Sequence, residues 1–386
     1  KLHDLCLKMA KSKEAEARKE NTNENTGDDY EFIDIGAMSN EELVNLAEIK
    51  DEASRHEKIK HHIRPANSVS KEEYLSIAPM TFTAELAAVA VFLFGVPGFG
   101  ITFPIFEIVL YFVYGKTVAF SVFLMVMTLA FIPYKAKDSN CYSWLGLSCL
   151  RYFSHKALFR KGKFQFKKDK PYILVAPPHG VFPYGNLCAM LCFPSLMGFS
   201  FHGLASFAVF RTPVLRHFLG WIGVIDASAP SASSVLKKGR MVGISTGGVA
   251  EIFETNSTTG DEVIVLRERK GLIKLAFRNG AALVPCYLFG NNQALSLWYD
   301  QGGFLKRISR KLGFALILFW GRFGLPIPFR VSVIGAFGDP IEVKMNQNPT
   351  MEEVNALQEQ LLNEMVKLFD DHKHRFGWGH KKLVIR

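Results

Sequence analysis

Two uncharged runs constrain this chain more than any other feature. Leu86 to Phe106 carries no charged residue, nor does Thr117 to Tyr134, and only Glu107, a short apolar piece and Lys116 lie between them. Each run is about the length needed to cross a hydrocarbon core of about 30 Å. A soluble core is a poor home for such a segment, because so long a stretch with only two charges needs a very large core around it. Basic residues stand outside the pair: Lys58, Lys60, Arg64 and Lys71 before it, Lys135, Lys137 and Arg151 after it. The positive-inside rule then puts both flanks in the cytosol, with residues 80–136 forming a membrane hairpin. The Gly95-Val96-Pro97-Gly98 interruption allows a second form, a re-entrant hairpin that never crosses.

Composition narrows the partners. A formal charge of +10 and a pI near 9.2 invite a nucleic-acid reading, but no recognition motif or zinc spacing accompanies them. An anionic membrane surface or a phosphate-bearing cosubstrate suits those charges better. The six cysteines (6, 141, 149, 188, 192 and 286) form no CxxC pair; Cys188 and Cys192 share a helical spacing only, so these two read as core thiols of a reducing compartment. The chain begins at Lys1, so its true start is expected to lie upstream; separately, no secretory signal is seen in the sequence.

Residues 1–79 read as a charged N-terminal region. Up to about residue 38 the chain has too little apolar surface to offset its ordering entropy, so disorder is expected. Ser39 and Glu42 then make a capping box, opening an amphipathic helix with Leu43, Leu46 and Ile49 on one face that ends before Pro65. Beyond the hairpin, residues 137–386 alternate short apolar strands with helices. Strands are expected at 172–176, 203–209, 241–246, 282–288 and 329–335. Helices are expected at 271–279 and after Thr350, where Glu353 completes a second capping box. Such alternation argues an α/β fold with a largely parallel sheet.

Within that region, the strand Tyr172-Ile173-Leu174-Val175-Ala176 stops at Pro177-Pro178 and presents His179-Gly180. A histidine delivered to the end of a strand stands where open α/β folds bind ligands, and its ordinary pKa suits a general base. Phe201-His202-Gly203 is a second His-Gly, so the dipeptide by itself is weak. Glu251, after Gly247-Gly248, either orients and charges the imidazole as a triad carboxylate does, or is a helix-start glutamate helped by the dipole. Arg211 and the cluster Arg267, Arg269 and Lys270 are phosphate ligands or ordinary solvated charges; the cluster precedes a helix start, which itself favours anions. A rival reading rests on Gly243-Ile244-Ser245-Thr246-Gly247, which fits the nucleophile elbow of a serine lipase. Asp300, Asp339, His372, His374 and His380 follow it in the required order.

Several blocks, in order, carry a resemblance from about residue 80 to the C-terminus. They are Tyr152-Phe153, Pro178-His179-Gly180, the segment Phe210-Arg211-Thr212-Pro213-Val214-Leu215-Arg216, Gly247-Gly248-Val249-Ala250-Glu251 and Arg269-Lys270-Gly271. Leu275 to Ala281, Val284 to Gly290 and Lys367 to Lys373 follow. The chain resembles the type-2 diacylglycerol acyltransferases and their monoacylglycerol and wax-ester relatives. The resemblance implies a glycerolipid-acyltransferase-like sheet flanked by helices, behind a transmembrane or re-entrant hairpin. It also implies acyl transfer from acyl-coenzyme A to diacylglycerol or a related lipid alcohol, on the cytosolic face of the endoplasmic reticulum membrane or at the lipid-droplet surface. His179, Glu251 and Gly180 would be catalytic. Pro178, Arg211, Gly247, Gly248, Arg267, Arg269 and Lys270 would bind substrate. No cofactor or metal is called for beyond acyl-CoA as cosubstrate, and no nucleic acid; homo-oligomerisation is left open. Pro177 stands where the family's first histidine usually is, Asn291 replaces a common glutamate, and Tyr184 stands where related acyltransferases place an aspartate. No function is therefore placed on Asn291, and Glu251 is nominated as the orienting carboxylate. A glycosylation sequon at Asn256-Ser257-Thr258 would remain unmodified in a cytosolic domain.

Overall fold

The computed structural model describes residues 29–95, 98–133, 144–162, 166–167, 169–198, 201–253, 260–298, 300, 303–312 and 316–386. The sequon and most of the expected disordered N-terminus lie outside them. In chain order the elements are β1 (Tyr30–Asp34), α1 (Asn40–Glu48), α2 (Glu52–Ile59), β2 (Ile63–Pro65), α3 (Lys71–Leu75), α4 (Phe82–Phe94), α5 (Phe99–Tyr114), α6 (Lys116–Thr128) and α7 (Trp144–Tyr152). There follow β3 (Lys156–Arg160), β4 (Tyr172–Val175), α8 (Tyr184–Met197), β5 (Phe201–Ala205), α9 (Pro213–Trp221), β6 (Ile225–Asp226), α10 (Ala229–Leu236), β7 (Met241–Ile244) and α11 (Gly248–Ile252). The chain closes with β8 (Glu262–Ile264), α12 (Lys270–Asn279), β9 (Ala282–Phe289), β10 (Ser296–Leu297), α13 (Phe304–Leu312), β11 (Phe319–Trp320), β12 (Ile334–Phe337), α14 (Met351–His372) and β13 (Leu383–Ile385).

Nine strands form one sheet in the order β2-β1-β3-β12-β9-β4-β7-β5-β6. From β9 to β6 every neighbouring pair is parallel, as the alternation requires. The other half is mixed, because β12 runs antiparallel to β9 and β1 antiparallel to β3. The central strands β12, β9 and β4 are buried on both faces, which explains their continuous apolar runs. Tyr172 and Leu174 of β4 pack with α7 and α8 on one face, while Ile173 and Val175 pack with α12 and α14 on the other. Both expected capping boxes form, at Ser39/Glu42 and at Thr350/Glu353.

Four expectations need correction. Residues 30–34 are not disordered: β1 pairs with β3 along its whole length, and Tyr30 and Phe32 are buried. The first helix does not run on toward Pro65; it ends at Glu48, and Asp51 caps a second helix through the Ser54 amide. The strand expected at 203–209 stops at Ala205, where Ser206 caps a 3-10 turn at Phe207–Arg211. The strand expected at 329–335 forms only from Ile334, because Phe329 N–H bonds to the Ala294 carbonyl and Val333 N–H to that of Phe153 rather than to a ladder partner.

The first uncharged run is broken into α4 and α5, which bend by 80° across residues 95–98. No single described helix is long and apolar enough to cross a membrane; this bent pair meets the test of length and composition together. Gly98 fits because its backbone lies against the end of α4, where a Cβ would sit 2.1 Å from the Leu93 carbonyl oxygen. Gly115, at φ +85°, turns the chain from α5 into α6. The outer faces of these helices are apolar and exposed: Phe82 and Phe112 are 80% exposed, and Phe131, just past α6, 84%. At the start of α4, Glu85 bonds to Arg322 and lies 3.6 Å from Arg330, which ties the apolar helices to the segment between β11 and β12.

Candidate active site

Because β4, β5, β7 and β9 are parallel, the loops that leave their C-terminal ends share one edge of the sheet, where open α/β folds bind ligands. That edge carries His179 after β4, the 3-10 turn ending at Arg211 after β5, Ser245 to Gly248 after β7, and Asn291-Asn292 after β9.

His179 is half-buried. Its Nδ1 lies 2.9 Å from the Gly180 carbonyl oxygen. A carbonyl can only accept, so Nδ1 carries the hydrogen and Nε2 keeps its lone pair. Burial lowers the histidine's pKa, and the Gly180 carbonyl opposes that only in part. The ring is therefore neutral at pH 7 with Nε2 as its basic nitrogen. Gly180 makes this turn at φ +60°, where a Cβ would also lie 2.9 Å from Asn291 Nδ2. His202 differs: it sits inside β5, buried, with Nδ1 bonded to the Gly223 carbonyl.

His179 and Glu251 do meet, but not as expected. Glu251 Oε2 accepts the main-chain N–H of His179 at 2.9 Å, while the ring bonds to Gly180. The carboxylate thus fixes the loop, and a peptide carbonyl takes the tautomer-setting role assigned to it. Glu251 is fully buried. Burial lifts its pKa to about 7, while hydrogen bonds to the backbone of His179, Val265 and Gly247 and the charge of Arg269 pull it down. Gly247 allows this fit, since a Cβ there would lie 2.1 Å from Glu251 Oε2. Gly248 opens α11 at φ +51°.

The basic residues divide. The Arg269 guanidinium donates to the Gly247 carbonyl at 3.2 Å, beside the Glu251 turn, and Lys270 begins α12. Arg267 faces away and pairs with Glu359 at 2.9 Å. Arg211 is exposed, with its guanidinium 4.8 Å from the Phe207 ring centroid. Among the described residues no group of three His, Cys, Asp or Glu side chains could hold a metal ion.

The residue that sequence reasoning missed is Asn291. Fully buried, its Nδ2 donates to the carbonyls of Pro178 (3.1 Å), His179 (2.9 Å) and Phe182 (3.3 Å), and its Oδ1 accepts from the Gly185 amide at 3.0 Å. One amide side chain thus clamps both ends of the histidine loop. The available signal was its place: it follows a long buried strand parallel to β4, and so emerges on the same edge.

The lipase reading loses its geometry. Ser245 Oγ donates to the Ala176 carbonyl at 2.8 Å and receives Asn186 Nδ2. His372 is fully buried with its ring centroid 4.3 Å from that of Tyr30 in β1. Five strand spacings separate β1 from β7, roughly 24 Å at about 4.8 Å each. Asp300 is engaged with the amides of Phe304 and Lys306, and Asp339 with Arg160.

Comparison with known proteins places this arrangement. Over 233 residues the chain is 31% identical to the diacylglycerol O-acyltransferase 2 of Homo sapiens, covering 55% of this chain and 59% of that protein. It is 34% identical over 236 residues to the 2-acylglycerol O-acyltransferase 1 of Bos taurus, covering 55% and 69%. The matched part thus spans about six-tenths of the length of the diacylglycerol relatives. Among solved structures, the 1-acyl-sn-glycerophosphate acyltransferase PlsC of Thermotoga maritima aligns with 13% identity and a TM-score of 0.37, covering 74% of this chain and 95% of that one. The family model described as diacylglycerol acyltransferase matches residues 111–386, well over half of the chain and every residue of the site above, so the chain belongs to the diacylglycerol acyltransferase family.

Proposed function

We propose that this protein moves an acyl chain from acyl-coenzyme A to the free hydroxyl of diacylglycerol, making triacylglycerol, with monoacylglycerol or a fatty alcohol as the alternative acceptor. One observation carries the reading: a neutral imidazole at the C-terminal edge of a parallel sheet, with Nδ1–H committed to a peptide carbonyl and Nε2 left as the base. The names of the relatives, which act on diacylglycerol and 2-acylglycerol, support the acceptor class.

In this mechanism the acceptor oxygen attacks the thioester carbonyl as His179 Nε2 takes its proton. Main-chain N–H groups around Gly180 receive the oxyanion, a contribution of about 2.7–4 kcal/mol per well-placed donor in other enzymes. Collapse breaks the C–S bond, and the departing thiolate recovers the proton from the imidazolium. Glu251 and Asn291 hold the loop; Pro178 contributes its carbonyl to that clamp. Arg269 and Lys270, with Arg211, meet the CoA phosphates, and Arg267 joins them only by leaving Glu359. Helices α4 to α6 lie in lipid as a spanning or re-entrant hairpin, their exposed phenylalanines facing acyl chains. The sheet domain faces the cytosol at the endoplasmic reticulum or a lipid droplet.

Free-thiol release from acyl-CoA with a panel of acceptors tests the reading. Triacylglycerol synthesis in microsomes should vanish in His179→Ala while the protein still inserts. Full activity in that variant would overturn the proposal.

A further inference from the structure

Strand β8 lies outside the nine-stranded sheet. Among the described residues its strand partner is β13, which runs parallel to it with Leu383 opposite Glu262 and Ile385 opposite Ile264. This two-stranded piece touches the supports of the histidine loop at both ends. Just past β8, the Val265 N–H donates to Glu251, the side chain that holds the His179 amide. At the start of β8, Glu262 reaches the turn after β9 that carries Asn291.

Glu262 is buried, with three donors on its carboxylate. Lys381 Nζ lies 2.7 Å from Oε1, while Oε2 accepts from the Tyr287 hydroxyl at 3.2 Å and from Asn292 Nδ2 at 2.9 Å. Burial and the charges of Glu262 and Glu251 raise the Tyr287 phenol well above its usual value, so it stays protonated and donates. A carboxylate oxygen only accepts, so Asn292 turns its NH2 toward Glu262 and its Oδ1 away. That oxygen packs against Gly180, where a Cβ would lie 3.1 Å from it. On the other side, Lys381 Nζ lies 4.2 Å from the Trp378 ring centroid, and Phe376 stacks at 4.1 Å on Phe289, two residues before Asn291.

A buried ion pair is a weak source of stability, since apolar residues of the same volume often do as well. Three donors converging on one carboxylate do fix its orientation, and with it that of Asn292. We propose that Glu262 is a positioning residue for acyl transfer: held by the C-terminal segment, it holds Asn292 against Gly180, the turn that sets the His179 imidazole. The role rests on His179 as the base; the hold on the loop does not.

The test uses the full chain in lipid nanodiscs, pairing turnover of oleoyl-CoA and dioleoylglycerol with hydrogen exchange of the peptide spanning residues 177–185. Glu262→Ala should lower kcat by about tenfold to 10²-fold and leave the KM for oleoyl-CoA within about twofold. Exchange in the peptide should quicken. Water then reaches the ring, so the acid limb of kcat/KM should climb toward 6.5. Glu262→Gln keeps an oxygen for Asn292 and Tyr287, and should restore kcat to within about threefold of wild type. Asn292→Ala leaves β8 and β13 untouched, so it carries the test if Glu262→Ala does not fold. It should reproduce the loss of kcat, and the double variant should lose no more than the worse single one. The proposal is overturned by losses that multiply in the double variant, or by a lower thermal melt with kcat and the acid limb both unmoved. Quickened exchange in Glu262→Ala, alongside full activity in His179→Ala, would keep the hold on the loop but overturn the base, and the positioning role with it.

Discussion

The loops after β4 and after β7 leave neighbouring parallel strands at the same edge, and each carries a sequence that reads as catalytic. They treat their polar atoms in opposite ways. After β7, Ser245 is bound to Ala176 and Asn186, and Glu251 turns back into the protein to hold the His179 amide. After β4, Asn291 and Glu251 hold the main chain, and the outer nitrogen of the imidazole is left without a hydrogen bond among the described residues. One loop is support, and the other is supported. The comparison teaches that a catalytic motif is recognised by which atoms remain unspent after folding.

His179→Ala attacks that contrast where it is sharpest. Turnover should fall by about 10³-fold, the scale of a lost general base, with the thermal melt unchanged; a melt that falls with activity would instead make His179 structural. Asn291→Ala comes next. It leaves three carbonyls and an amide without their partner, so turnover should drop by about 10²-fold through misplacement of the ring. Stability should fall by about 2–4 kcal/mol, read by denaturation in parallel with kcat.

Glu251→Gln separates support from charge. A carboxyl raised from 4.5 to about 7 contributes stability that is complete below pH 4.5 and lost as pH rises through 7. Removing the charge should therefore stabilise the protein at pH 8, by at most about 3 kcal/mol, and do nothing at pH 4. If Glu251 only holds the loop, Gln keeps an acceptor for the His179 amide and activity stays within about tenfold of wild type. A much larger loss would restore the charged role expected from the sequence. In the wild type, the acid limb of kcat/KM should lie below 6.5, because the histidine's pKa is lowered. A limb above 6.5 would contradict the buried, carbonyl-bound ring. Ser245→Ala should do least: activity within about twofold, and about 1–3 kcal/mol of stability for its two hydrogen bonds. Loss of ester chemistry there would revive the hydrolase.

Much of this could be read locally. Strands β4, β7 and β9 announce themselves as short buried runs, and both capping boxes are written in four-residue patterns. The strand β1 could not be read. Its acids Glu31 and Asp34 interrupt the apolar Tyr30, Phe32 and Ile33 just after a polar stretch, and its order comes from β3, more than a hundred residues away. Arg267 and Arg269 look equivalent in sequence, yet one bonds to Glu359 and the other to Gly247.

By itself the sequence determined the apolar helices, the parallel half of the sheet and the histidine at a strand end, because burial and backbone preference act over a few neighbouring residues. Only the tertiary structure decided that Gly180 sets the tautomer, that Glu251 grips main chain and that Asn291 clamps the loop. Hydrogen bonds are saturable and join groups distant in sequence, so which donor takes which acceptor is settled once the strands are in register.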